Sequence, residues 1–205
     1  MVDFIYATSN VAKLRSMREV LAPLDINIIG LQDTSISIPE PQETGSTPLE
    51  NARIKAKAYY EVLKRPLFSC DSGLYLGGLD ESEQPGVHIR SIGGKYMNDD
   101  EMVIYYSNLA RKLGGKATAR YMNGICLVLG DEEVYEHFGN DISGNPFLIV
   151  DTPHPKRVEG FPLDCLSVHI ESGEYYYDYE RPNGDMGIVF SGFQKFFQKI
   201  QEKWE

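Results

Sequence analysis

The sequence is poor in the residues that build disulfide frameworks and zinc clusters. Its three cysteines, Cys70, Cys126 and Cys165, are odd in number and far apart, with no CxxC pair and no histidine at a zinc-ligand interval. They read as reduced, mostly buried thiols. No apolar run approaches the ~18 residues of a membrane-spanning helix. The start of the chain, Met1-Val2-Asp3-Phe4-Ile5-Tyr6, lacks the basic segment and apolar stretch of a signal peptide. The expectation is a cytoplasmic protein without a membrane partner. Positive charge is also scarce: 20 Lys and Arg face 30 Asp and Glu, a net charge of -10. A broad nucleic-acid surface needs Lys and Arg gathered on one face, so a polymer of phosphates is excluded as a partner. A single small anion is not, because a few well-placed cations and backbone N–H groups hold one whatever the global charge.

What remains is an ordinary folded chain of 205 residues, 42% hydrophobic and 11% aromatic, enough for one domain or two closely joined lobes. No repeat and no low-complexity segment interrupts it. Residues 2 to 8 form an apolar run of β-formers, after which Val11, Leu14, Met17, Leu21 and Leu24 fall at helical spacing. Ile26 to Gly30 reads as a second strand, and Leu31 to Ser46 as a loop. Thr47-Pro48-Leu49-Glu50 is a helix start, with an N-cap hydroxyl, proline at the first position and a carboxylate at the third, and the helix should run to about Leu63. Leu67 to Cys70 reads as a buried strand. A helix opening at Asn98 ends at Gly114-Gly115, and Ala117 to Asn140 reads as two long strands joined near Gly130-Asp131. A closing helix from about Gly192 puts Phe193, Phe196, Phe197, Ile200 and Trp204 on one stripe. Strands and helices alternate first and strands dominate later, so the predicted class is α/β with a mixed sheet flanked by helices.

Four constellations carry chemistry. Thr8, Ser9, Asn10 and Lys13 sit where strand gives way to helix, where free N–H groups, hydroxyls, an amide and an ammonium suit phosphate oxygens. The same residues also make an ordinary helix cap. Glu40 and Glu43 offer hard oxygens for Mg²⁺, or are solvated loop acids. Asp71 and Ser72 follow a buried strand, where a carboxylate faces the crevice in which α/β proteins bind ligands, or where an Asp-Ser-Gly turn simply reverses the chain. Phe161 and Asp164, beside Gly160, suit stacking on a base and contact with its edge, or a plain loop with a core phenylalanine.

Taken in order, these segments resemble the inosine triphosphate pyrophosphatase family, whose members have T-x-N-x-x-K after the first strand, then E-T-G-x-T-x-x-E-N-A, D-S-G-L and G-F-x-x-D. Here they are Thr8 to Lys13, Glu43 to Ala52, Asp71 to Leu74 and Gly160 to Asp164, with Lys55-Ala56 and Pro85-Gly86-Val87 also matching. The resemblance implies an elongated α/β fold of two lobes with a central cleft, usually a homodimer. It also implies Mg²⁺-dependent hydrolysis of inosine, xanthosine or related triphosphates to monophosphate and pyrophosphate. By that likeness Thr8, Ser9, Asn10 and Lys13 hold phosphates, and Asp71 binds metal, with Glu43 beside it, and activates water. Ser72 then touches substrate, and Phe161 and Asp164 line the base pocket.

The chain departs from the family's pattern in three places. Gln42 stands where bacterial members have an acid before E-T-G, and Cys70 stands where they have the first carboxylate of D-D-S-G. The late S-H-R has no counterpart, since Ser191 is followed by Gly192 and Phe193; Arg181, Lys195 or the Lys156-Arg157 pair are the substitute cations that position offers. A divergent pyrophosphatase is the first reading. A nucleotide-binding relative that kept the phosphate grip and lost the chemistry is the alternative.

Overall fold

The computed structural model describes residues 2–36, 38–180 and 187–203. Arg181 and Trp204 lie outside them. Seven strands, β1 (Val2–Tyr6), β2 (Ile26–Gly30), β3 (Leu67–Leu76), β4 (Lys116–Val128), β5 (Val134–Phe138), β6 (Phe147–Val150) and β7 (Ser167–Val168), form one sheet in the order β2-β1-β3-β4-β6-β7, with β5 also paired to β4. The helices are α1 (Val11–Leu21), α2 (Pro48–Leu63), α3 (Asp99–Lys112) and α4 (Gly187–Gln201). β1 pairs in parallel with β2 and β3, while β4 with β5, β4 with β6 and β6 with β7 are antiparallel, so the sheet is mixed, as the sequence pattern implies. None of the described helices is long and apolar enough to cross a membrane.

The chain divides into two compact units, one of Met1–Ser72, Met122–Gly144 and Met186–Glu205, the other of Gly73–Tyr121 and Asn145–Asp185. In the first, side chains alternate across the strands as the pleat requires. Phe4 and Tyr6 of β1, Phe68 of β3 and Ile125 and Leu127 of β4 meet α1 and α4 through Leu14, Met17, Phe193 and Phe197. Ile5, Leu67, Cys126 and Val128 meet α2 on the other face through Ala52, Ala56, Tyr59 and Tyr60. Gly124, which has no side chain, lets the first turn of α2 lie close to β4. A Cβ at Gly124 would stand 2.5 Å from the backbone nitrogen of Leu49.

In the second unit α3 buries Met102, Val103, Tyr106 and Ala110 against Ala117, Ala119, Phe147 and Ile149 of the sheet. Both expected capping boxes are present, Thr47 with Glu50 and Asn98 with Glu101. Gly114 and Gly115 follow α3 with φ of 93° and 95°.

Three expectations are corrected. β3 does not end at Cys70 but continues to Leu76, so Asp71, Ser72 and Gly73 lie inside a strand rather than in a turn. α1 stops at Leu21, with Leu24 beyond it. α4 begins by Gly187, and Gly192 is a helix-interior residue rather than a helix start, because the α4 backbone there presses on the backbone of Asp141. A glycine inside a helix pattern reads as a boundary until the packing partner is seen.

Gly124→Ala tests the approach of α2 to β4. Neither wall of that contact is a flexible side chain, so urea denaturation is expected to show a loss of about 1–3 kcal/mol. Val11→Ala, at a position 69% exposed, serves as the near-neutral comparison.

Candidate active site

The site in the first unit grows from the alternation of β3. Phe68 and Cys70 face α1, whereas Leu67, Ser69 and Asp71 face α2. Asp71 therefore meets the first turns of α2, and there the Asn51 amide donates to Asp71 Oδ2 at 3.2 Å. Asn51 is only 2% exposed, and its other end accepts from the Gly45 N–H at 2.8 Å. One buried side chain thus ties the loop before α2 to the carboxylate on β3. Gly45 is tightly enclosed: a Cβ there would lie 2.6 Å from Glu50 Cβ and 2.7 Å from Asn51 Oδ1.

One turn along α2, Lys55 forms an ion pair with Glu43. Burial works against its ammonium, but Glu43, with Asp71 and Glu40 beyond it, more than offsets this, and Lys55 holds its proton more tightly than a free lysine. Asp71 is moved upward from the usual carboxylate range. Burial is the main cause and Glu43 adds to it, while Lys13, Lys55 and the Asn51 hydrogen bond pull the other way. The result is a half-buried carboxylate, more basic than usual, that feels the charge of two lysines.

The turn after β1 is held by its own polar groups. Asn10 caps α1, its Oδ1 accepting from the N–H groups of Ala12 at 2.9 Å and Lys13 at 3.1 Å, and Thr8 Oγ1 accepts from the Asn10 N–H at 3.2 Å. An anion would therefore meet the amide nitrogen of Asn10 and not its oxygen. Ser9 is exposed and lines a pocket of about 680 Å³ together with Val11, Ile36, Ile38, Glu40 and Tyr59.

Cys70 lies on the opposite side of β3 from Asp71, where the Tyr6 hydroxyl hydrogen-bonds to it. Burial pushes its thiol up to about 12, against the pull of Lys13. Ser72 is half-buried within β3.

Phe161 and Asp164 belong to the second unit. Phe161 leads into a 3-10 turn, Pro162–Leu166, rather than a plain loop, and Pro162 at the first position favours that turn. Asp164 stands close enough to Tyr121 to push the Tyr121 hydroxyl up, after burial, which is the larger cause. Lys156 lies over the Tyr177 ring at 4.9 Å, and Lys195 is exposed on α4.

Sequence reasoning gave no role to Asn51 or Lys55, although both lie in matched segments. The signal was an amide and an ammonium four residues apart on the same face as the buried Ala52 and Ala56.

Among the described residues no group of three or more His, Cys, Asp and Glu side chains is arranged to hold a metal ion. Mg²⁺ bound largely through water and substrate phosphates needs only one or two protein carboxylates. Asp71 with Glu43 as its charged neighbour fits that requirement.

The comparisons with known proteins agree with one another. The Ham1 family model matches residues 4–171. This chain belongs to the Ham1 family. A dITP/XTP pyrophosphatase of Geobacillus kaustophilus is 35% identical over 216 residues, covering 100% of this chain and 95% of the relative. One from Leptospira interrogans is 31% identical over 196 residues, 96% of this chain and 84% of the relative. The solved Ham1 protein of Coxiella burnetii superposes with a TM-score of 0.73 at 23% identity, over 98% of this Ham1 chain and 100% of that one, and so shares its mixed α/β fold.

Asn51→Asp isolates the contact with Asp71, since it keeps an acceptor for the Gly45 N–H while placing like charges together. A carboxyl raised in the folded state costs stability as pH rises through the ordinary carboxylate range. The variant should therefore unfold more easily than wild type at pH 8, by roughly 1–3 kcal/mol. The gap should narrow at pH 5 as the pair takes up a proton, compared by urea midpoints at the two pH values.

Proposed function

We propose that this chain hydrolyses inosine, xanthosine and related purine nucleoside triphosphates to the monophosphate and pyrophosphate, clearing them from the nucleotide pool. The observation that carries the proposal is the partly buried carboxylate of Asp71, hydrogen-bonded by Asn51 and within the electrostatic reach of Lys13 and Lys55, in a chain whose relatives are named dITP/XTP pyrophosphatases. Water attacking the α-phosphorus needs a base within reach, and Asp71 is more basic than a solvated aspartate. Negative charge then builds on the pyrophosphate, and Lys13 and Lys55 are the cations available to absorb it. Thr8, Ser9 and the Asn10 amide nitrogen contact the phosphates, Ser72 touches substrate, Phe161 stacks on the base and Asp164 meets its edge.

Asp71 and Glu43 would hold Mg²⁺, which when bound supplies charge neutralisation on the phosphate oxygens. The protein works in the cytoplasm, as a homodimer in which each chain is a single nucleoside triphosphate pyrophosphatase-like domain. The binder alternative rested on Gln42, Cys70 and the missing S-H-R. Cys70 packs toward α1, and Asp71 keeps its Asn51 hydrogen bond and the charges of Lys13 and Lys55 without an acid at position 70.

Pyrophosphate release from dITP, XTP, dGTP and ATP with Mg²⁺ tests the proposal. Turnover is expected on dITP and XTP, abolished by EDTA. Asp71→Asn should lower kcat by about 10²–10⁴-fold. Folded wild-type protein that releases pyrophosphate from none of the four would overturn it.

A further inference from the structure

In the second unit, Asp99 opens α3 but does not cap it. That task belongs to Asn98, whose side chain accepts from the Glu101 N–H at 2.9 Å. The Asp99 carboxylate instead receives two donors from separate parts of the chain. Arg90 Nη1 reaches Oδ1 at 2.7 Å, and the backbone N–H of Gly160 reaches Oδ2 at 3.1 Å. Both are charge-assisted bonds, stronger and more directional than neutral ones. Burial alone would push this carboxyl up, but Arg90 and the Gly160 N–H reverse that, and Asp99 sits below the usual carboxylate range.

The Gly160 end of the clamp bears on the segment that follows. Gly160 has φ of 83°, a conformation few other residues adopt. The Phe161 N–H returns to the Val158 carbonyl at 3.1 Å, and the Asp164 N–H returns to the Phe161 carbonyl at 3.3 Å. Two tight turns in series, Val158 to Phe161 and Phe161 to Asp164, thus join Gly160 to both residues through a short hydrogen-bonded backbone. The Arg90 end is braced too, since Nη1 also donates to the Met97 carbonyl at 3.4 Å.

We propose that Asp99 is a positioning residue for base selection, its carboxylate fixing the Gly160 turn so that Phe161 and Asp164 meet the purine at one set distance and angle. This rests on the assignment of those two residues to the base. It separates their placement from the phosphate chemistry, which uses none of Asp99, Arg90 or Gly160. Loss of the clamp should loosen discrimination among bases while leaving the chemical step nearly unchanged.

The test compares Asp99→Ala, Asp99→Asn and Phe161→Ala with wild type on XTP, dITP and dGTP, together with calorimetric titration of IMP, which needs no turnover. For Asp99→Ala the expected result is a KM for dITP and XTP raised about tenfold and kcat within about twofold of wild type. The preference for dITP over dGTP should fall several-fold, and IMP binding should weaken in parallel. Asp99→Asn, which keeps one acceptor oxygen, should fall between the two and serves if the alanine variant does not fold.

A merely structural role would lower stability without moving the preference ratio. If Phe161→Ala changes base preference and IMP affinity while both Asp99 variants leave them unchanged, the clamp is not a positioning device. If Phe161→Ala changes neither, the base assignment fails and the role of Asp99 falls with it. Wild-type protein that binds IMP but turns over nothing overturns the proposed hydrolysis alone, and the titrations still decide on Asp99.

Discussion

A carboxylate taken partly out of water must find compensating charge and hydrogen bonds or give up its ionisation, and Asp71 stands under that constraint. β3 carries it inward, and the compensation arrives from elements distant in sequence: Asn51 and Lys55 from α2 and Lys13 from α1. The like charge of Glu43 is in turn held by Lys55. The surrounding architecture is what gathers these groups around one strand. The parallel pairing of β1 with β3 sets α1 on one side of the strand, and Gly124 of β4 lets the first turn of α2 approach from the other. Compensation falls short of complete, which leaves Asp71 raised.

Much of this was legible from local pattern. The capping boxes at Thr47 and Asn98, the stripe of phenylalanines in α4 and the β-formers of β1 each obey a short-range rule, and each stands where the rule puts it. The misreadings share a cause, which is that a local signal was outvoted by a tertiary partner. Asp71-Ser72-Gly73 carries turn composition, yet the sequence continues as strand to Leu76, and Leu74 is paired with Gly86. Gly192 looks like a boundary, yet it is the point where a helix touches another backbone.

The candidate site was legible in the order of its motifs and not in their geometry. The resemblance, carried by the order of the motifs, pointed to Asn10, Lys13, Asp71 and Phe161, but nothing in one dimension distinguishes Asn51, a buried bridge, from a surface amide. The roles of Cys70 and Asp71 differ for a reason that spacing does contain. Adjacent residues on a strand face opposite ways, so Cys70 packs toward α1 while Asp71 meets Asn51 of α2, although both feel Lys13.

Cys70 also bears on how such a site withstands its chemical surroundings. Sulfur attacks peroxide and alkylating agents as the thiolate, and a thiol held near 12 presents almost none of that form at neutral pH. At neutral pH the residue beside the proposed base therefore stands as a protonated thiol against the Tyr6 hydroxyl, the form of cysteine least open to oxidation or alkylation.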